Sequence, residues 1–160
     1  MAVALLKARN FKPEDFALFH PGGALGRRLL LTVEKLMHTG ERNPIITKDR
    51  QVRDALIVMT THGNHGAAVI VDENCVLTGI ITDGDLRRIL NKYREPLNLP
   101  VEQVMTHNPR TITKDKLAAE AMHIMEAKNI TVLPVVDAAN RPIGIIHLHD
   151  VIKGLTGMKS

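Results

Sequence analysis

The sequence predicts an α/β protein of the α+β kind, with two β-α-β-β-α units packed about a pseudo-twofold axis. Three observations predict it. First, the chain repeats itself: VEKLM at 33–37 returns as VEQVM at 101–105, ITKD at 46–49 as ITKD at 112–115, and IVD at 70–72 as VVD at 135–137. Duplication at this spacing means one supersecondary unit made twice. Second, within each copy the apolar spacing changes from three-and-four to short continuous runs, the mark of a helix followed by buried strands. Third, with three Phe, one Tyr and no Trp in 160 residues, the core must be packed with aliphatic side chains.

Taken in order, residues 1–31 stand outside the repeat. They offer a helix centred on Val3–Lys7 and a helix start at Pro13, and the Pro-Gly-Gly of HPGGALGRR then breaks regular structure. The first copy covers residues 32–90. Pro44–Thr47 reads as an extended lead-in, because Pro fixes its start and β-branched residues follow. Val52, Ala55, Leu56 and Met59 form one apolar helix face. AAVIVD and VLTGII are strands joined by the polar turn Asp72-Glu73-Asn74, and Asp85–Leu90 closes the unit as a helix. Residues 91–100, NKYREPLNLP, form a linker. The second copy, 101–160, repeats the order with the lead-in Pro109–Ile112, a helix carrying Leu117, Ala121 and Ile124, strands TVLPVVD and IGII, and a last helix at Asp150–Leu155. One unit encloses too little interior to stand alone, so the two are expected to bury their sheets against each other.

Composition narrows the function. No apolar run is long enough to span a membrane, and MAVALLK is too short to be a signal peptide, so a soluble cytoplasmic chain is expected. Cys75 is the single cysteine, which excludes an internal disulfide and suits a reducing compartment. The net charge of +4 is scattered in ones and twos without aromatic stacking platforms, so no nucleic-acid partner is expected. A mildly positive surface suits small anions equally well.

The chemistry concentrates where the last strand of each copy runs into its last helix, GIITDGDLRRIL at 79–90 and GIIHLHDVIKGL at 144–155. A helix start presents unpaired N–H groups and a positive dipole end, which seat a phosphate. Gly79 thins the strand for close approach, and the Thr82 hydroxyl can donate to a phosphate oxygen. Asp85 is acceptor-only, so it suits a ribose diol rather than a phosphate. Thr and Asp are also favoured here simply as helix caps, worth about 0.5–2 kcal/mol. Recurrence of the carboxylate as Asp150 favours function. His147 and His149 share a strand face beside Asp150, but a closed metal site needs a further ligand that the sequence does not offer, so no metal is expected. His62 and His65 in THGNHG read as rim residues.

The pattern G-I-I-T-x-x-D-L, with LPVVD followed by G-I-I-x-x-x-D in the second copy, resembles the CBS domain, and the tandem resembles a CBS pair, or Bateman module, over residues 32–156. The resemblance implies adenine nucleotides or other adenosyl ligands in clefts between the repeats, with Thr82 on phosphate and Asp85 on ribose. In the second cleft, by the same resemblance, His147 replaces the hydroxyl beside Asp150, a departure that calls for a different ligand or a protonated imidazole. Thr111, Leu133, Pro134 and His149 complete the expected ligand-contacting set, with Ala67, Ala68, Leu133 and Pro134 offered as aliphatic cover for a base. KPEDFALFHPGGALGRRLL resembles the segment joining a sugar-isomerase domain to the CBS pair in bacterial arabinose 5-phosphate isomerases. That resemblance implies a parent enzyme on the route to the Kdo sugar of lipopolysaccharide, with His20 a catalytic candidate in the full-length parent and no catalysis by this fragment alone. It further implies no required cofactor, a ligand of AMP or ATP type or the end product CMP-Kdo, and a homodimer through the CBS pairs, with a tetrameric parent. A purely structural dimerisation module with empty clefts is the competing expectation.

Overall fold

The computed structural model describes Gly26, residues 29–61 and residues 66–157. The expected helices of the opening segment, His20, and the histidines of THGNHG lie outside the described residues. The elements are α1 (Val33–Leu36), β1 (Ile45–Thr47), α2 (Val52–Thr61), β2 (Ala67–Val71), β3 (Leu77–Thr82), α3 (Asp83–Lys92), α4 (Val101–Val104), β4 (Thr106–His107), α5 (Ala118–Lys128), β5 (Val132–Val136), β6 (Pro142–His147) and α6 (Leu148–Thr156). The repeated β-α-β-β-α order is there in the first copy. In the second, the lead-in strand is reduced to a bridge between Ile112 and Val135.

The two halves share one topology down to the register. In the first, β1 pairs parallel with β2, and β2 antiparallel with β3 and β3 with β4. In the second, β5 and β6 pair antiparallel, with Ile112 bridged to one edge and His38 to the other. Both hairpins carry a bulge at the same place, Ile70/Val71 and Val135/Val136. Both are joined by the same turn, in which Asp72 Oδ1 accepts from the N–H of Asn74 and Val76, and Asp137 Oδ1 from that of Ala139 and Arg141.

Strand alternation sorts the side chains into three cores. Ala68, Ile70 and Ile81 face the helices of the first half, packing with Val52, Ala55, Met59, Leu86 and Ile89. Leu133, Val135 and Ile146 do the same in the second, with Ala118, Ala121, Met125 and Val151. The opposite faces, Ala67, Val69, Leu77 and Ile80 against Val132, Val136 and Ile145, meet between the halves. Because each sheet is covered on both faces, all five residues of β2 and all five of β5 are buried.

Packing units and sequence repeats do not coincide. Helix α1, which opens the first copy, buries Val33 in the second core, and α4, which opens the second copy, buries Val101 in the first together with the capping residue Met105. The exchange is reciprocal: His38 trades both backbone hydrogen bonds with Ile145, at 2.8 and 3.0 Å, while β4 pairs with Gly79 and Ile80 of β3. It explains the repeated glycine at 79 and 144. A Cβ on Gly79 would sit 2.9 Å from the Thr106 carbonyl oxygen and 2.3 Å from Met105 Sδ; one on Gly144 would sit 2.9 Å from the His38 carbonyl oxygen. The close approach expected of a phosphate at Gly79 is made by the crossing chain.

Candidate functional site

The junction of β3 and α3 is built by a reciprocal cap. Thr82 ends the strand in extended backbone, its N–H donates to Asp85 Oδ2 at 2.9 Å, and the Asp85 N–H donates to Thr82 Oγ1 at 3.3 Å. The Thr82 hydroxyl lies 3.0 Å from the same carboxylate oxygen. The capping role weighed for this pair is therefore realised, and it fixes the carboxylate of Asp85 with only 8% of the residue exposed. Asp85 Oδ1 pairs with the Arg88 guanidinium one turn on, and the Thr106 hydroxyl approaches it at 3.4 Å.

This junction opens into a cavity of 770 Å³ between the two halves. One wall is Thr82, Asp85, Arg88 and the start of α3; the other is the end of α5, the start of β5 and the segment Asn108–Arg110, with His147 at the end of β6. Arg87, Arg88, Arg110 and Lys128 line it against two carboxylates, Asp83 and Asp85. The cavity thus combines a helix start, an excess of cationic side chains and a carboxylate held in place by its neighbours. An anionic group meets the cations and the helix dipole, and hydroxyls meet Asp85.

The expected site residues divide. Thr82, Asp85 and His147 come to this cavity. Leu133 is fully buried in the second core, and Ala68 in the first, while Ala67 packs between the halves, so none has surface with which to cover a base. Pro134 is buried in β5, where its carbonyl accepts from Ile112 N–H at 3.1 Å; Thr111 is half-buried beside it. His149 is exposed, and Asp150 turns to His38 Nε2 at 3.1 Å while accepting the His147 N–H at 3.1 Å. His38 and His147 also meet edge-on, with ring centroids 6.0 Å apart. Among the described residues no three His, Cys, Asp or Glu side chains are grouped to hold a metal ion, and no helix is long and apolar enough to cross a membrane.

Sequence reasoning missed Thr106, Arg110 and Lys128, and treated Arg87-Arg88 as scattered charge. For Arg88 a signal existed: it follows Asp85 by three, the spacing of a helical ion pair. Thr106 reaches the cavity through the crossing of β4 onto β3, and Arg110 and Lys128 through the packing of the two halves, neither of which a local pattern announces.

Two like repeats packed face to face, with a charged cleft between them, define a tandem α/β repeat module. The chain belongs to the CBS domain family, which it matches twice, over residues 33–92 and 101–157. It is 48% identical over 153 residues to the arabinose 5-phosphate isomerase KdsD of Pseudomonas aeruginosa, covering 96% of this chain and 47% of that protein. It is 45% identical over 153 residues to the KdsD of Escherichia coli K12, covering 96% of this chain and 46% of that one. The chain therefore spans about half the length of the curated relatives it matches. Among solved structures, the CBS domain pair of protein MJ0100, in complex with 5′-methylthioadenosine and S-adenosyl-L-methionine, superposes with a TM-score of 0.72 at 26% identity, covering 81% of this chain and 99% of that one.

Proposed function

We propose that this chain is the regulatory nucleotide- or nucleotide-sugar-binding part of an arabinose 5-phosphate isomerase acting on the route to Kdo and lipopolysaccharide in the cytoplasm. The single observation that carries the proposal is the cavity of 770 Å³ that joins Thr82, Asp85 and the cations Arg88, Arg110 and Lys128. Phosphate goes to the α3 N-terminus and the cationic rim, and the sugar diol to Asp85. Two similarities support the reading: the KdsD enzymes over nearly the whole chain, and a CBS pair whose structure holds adenosyl compounds. AMP, ATP and the end product CMP-Kdo are the ligands in view. Regulation requires that the ligand bind two states of the parent with different affinity. The parent assembles through its CBS pairs as a homodimer, and as a tetramer with its isomerase domains.

One observation favours a second reading, a structural dimerisation module with empty clefts. Both junction carboxylates already have partners within the fold, Asp85 in Thr82 and Arg88, and Asp150 in His38. A thermal-shift panel with AMP, ADP, ATP, CMP, CMP-Kdo and arabinose 5-phosphate separates the two. A specific ligand at 100 times its dissociation constant adds about 2.7 kcal/mol, or roughly 5–10 °C for a chain of this size. A flat panel would leave the structural reading. A shift that disappears in Asp85→Ala, but persists in Asp150→Ala, would assign it to this cavity.

A further inference from the structure

The proposed ligand has a competitor already in place. Of the two oxygens of Asp85, Oδ2 is occupied by the N–H and hydroxyl of Thr82, at 2.9 and 3.0 Å, and these contacts are part of the helix cap. Oδ1 is the oxygen left for a diol, and there the Arg88 guanidinium sits. The pair is lopsided: the Asp85 side chain is 11% exposed and fixed, whereas that of Arg88 is 73% exposed and free to turn about its own stem. Arg88 and Asp85 also border a second, smaller cavity of 270 Å³ between α3 and α4, so the guanidinium stands at the partition between two open spaces.

Resting on the cleft reading above, we propose that Arg88 is a specificity residue that exchanges partners on binding. In the empty cleft it neutralises Asp85; when a nucleotide enters, the ribose hydroxyls take over Asp85 Oδ1 and the guanidinium transfers to the phosphate. A phosphate accepts the fork of a guanidinium at least as well as a carboxylate does. The exchange leaves the guanidinium paired with an anion and the carboxylate hydrogen-bonded. A nucleoside without phosphate displaces Arg88 from Asp85 and gives it nothing in return, so the cleft discriminates against it by the loss of one charge-assisted pair. Arg88 thereby links recognition of the sugar to recognition of the phosphate, although the two groups occupy different ends of the site.

The test is calorimetric titration of the intact chain and of Arg88→Gln with AMP, adenosine, CMP and cytidine. Because Arg88 is largely exposed, the variant is expected to fold, and circular dichroism verifies it. For whichever base binds, Arg88→Gln should bind the nucleotide about tenfold more weakly and the nucleoside severalfold more tightly, since Asp85 is then uncontested. Opposite signs are the signature of exchange. Changes of the same sign, or none, would overturn the exchange while leaving the cleft reading intact. Failure of the unaltered chain to bind any of the four would overturn the exchange, and failure to bind ATP and CMP-Kdo as well would overturn the cleft reading with it. Thr82→Val, which touches the cleft but not Arg88, should weaken nucleotide and nucleoside together.

Discussion

His38, ahead of the first lead-in strand, places its Nε2 3.1 Å from Oδ2 of Asp150, in the last helix of the second half and 112 residues away in sequence. Thr106 holds the same relation to Asp85 from the opposite direction, its hydroxyl 3.4 Å from Oδ1. Each junction carboxylate is therefore covered by a side chain from the crossing segment. The His38 and Asp150 side chains are 22% and 19% exposed, between a surface pair and a buried one. A double-mutant cycle of His38→Ala and Asp150→Ala in chemical denaturation should give a coupling of about 0.5–1.5 kcal/mol. A coupling near zero would mean that the crossing segment is held by its backbone pairing and the burial of Val33, without help from this contact.

One substitution has opposite outcomes at two glycines, because the crossing chain packs against only one of them. At Gly79 a methyl group would meet Met105 and the backbone of Thr106, and only the Met105 side chain can yield. Gly79→Ala should cost about 1–3 kcal/mol, measured as a lower denaturation midpoint. At Gly84, in the first turn of α3, the nearest atoms lie at 3.7 and 3.8 Å, ordinary contact distances. Gly84→Ala removes a helix penalty without a clash and should add about 0.5–1 kcal/mol.

How much of this was legible in the sequence depends on whether the cause was local. The duplication, the helix face of Val52, Ala55 and Met59, and the all-buried strands followed from spacing, because periodicity is fixed by which side each residue faces. The Thr82 and Asp85 junction was legible for the same reason. The start of the last helices was read two residues late, at Asp85 and Asp150, because the capping residues Thr82 and His147 sit ahead of the acidic residue that marks the pattern. Short helices α1 and α4 went unread, each having four residues and a stability that comes from burial in the opposite half. Leu133 was expected as aliphatic cover for a base; strand alternation instead turns it to the helices.

The internal duplication itself predicts a stabilising change. Cys75 occupies a left-handed conformation, φ 64°, at the same point of its turn where the second copy has Asn140, φ 61°. Each donates its N–H to the aspartate carbonyl three residues earlier at 3.0 Å. Asn takes this conformation at lower cost than cysteine, so Cys75→Asn should raise stability by about 0.5–1 kcal/mol and the melting temperature by about 1–4 °C. Since Cys75 is exposed and free, no core packing is lost. Unchanged or lowered stability would mean that the turn gains more from the thiol than its backbone suggests.

Asp72, in that same turn, makes stability depend on acid. The Val76 N–H first, and the Asn74 N–H with the Lys48 and Arg141 charges after it, hold its carboxyl below the ordinary value of 3.8, against a smaller opposing effect of desolvation. A carboxyl whose native value is depressed binds fewer protons folded than unfolded, so its contribution is complete above 3.8 and disappears as pH falls through the lower native value. The stability gap between the unaltered chain and Asp72→Ala should therefore be widest near neutral pH and narrow steadily once pH drops below 3.8. Denaturant melts across that range check it. A gap independent of pH would show that the turn depends on the shape of the Asp72 side chain and not on its charge.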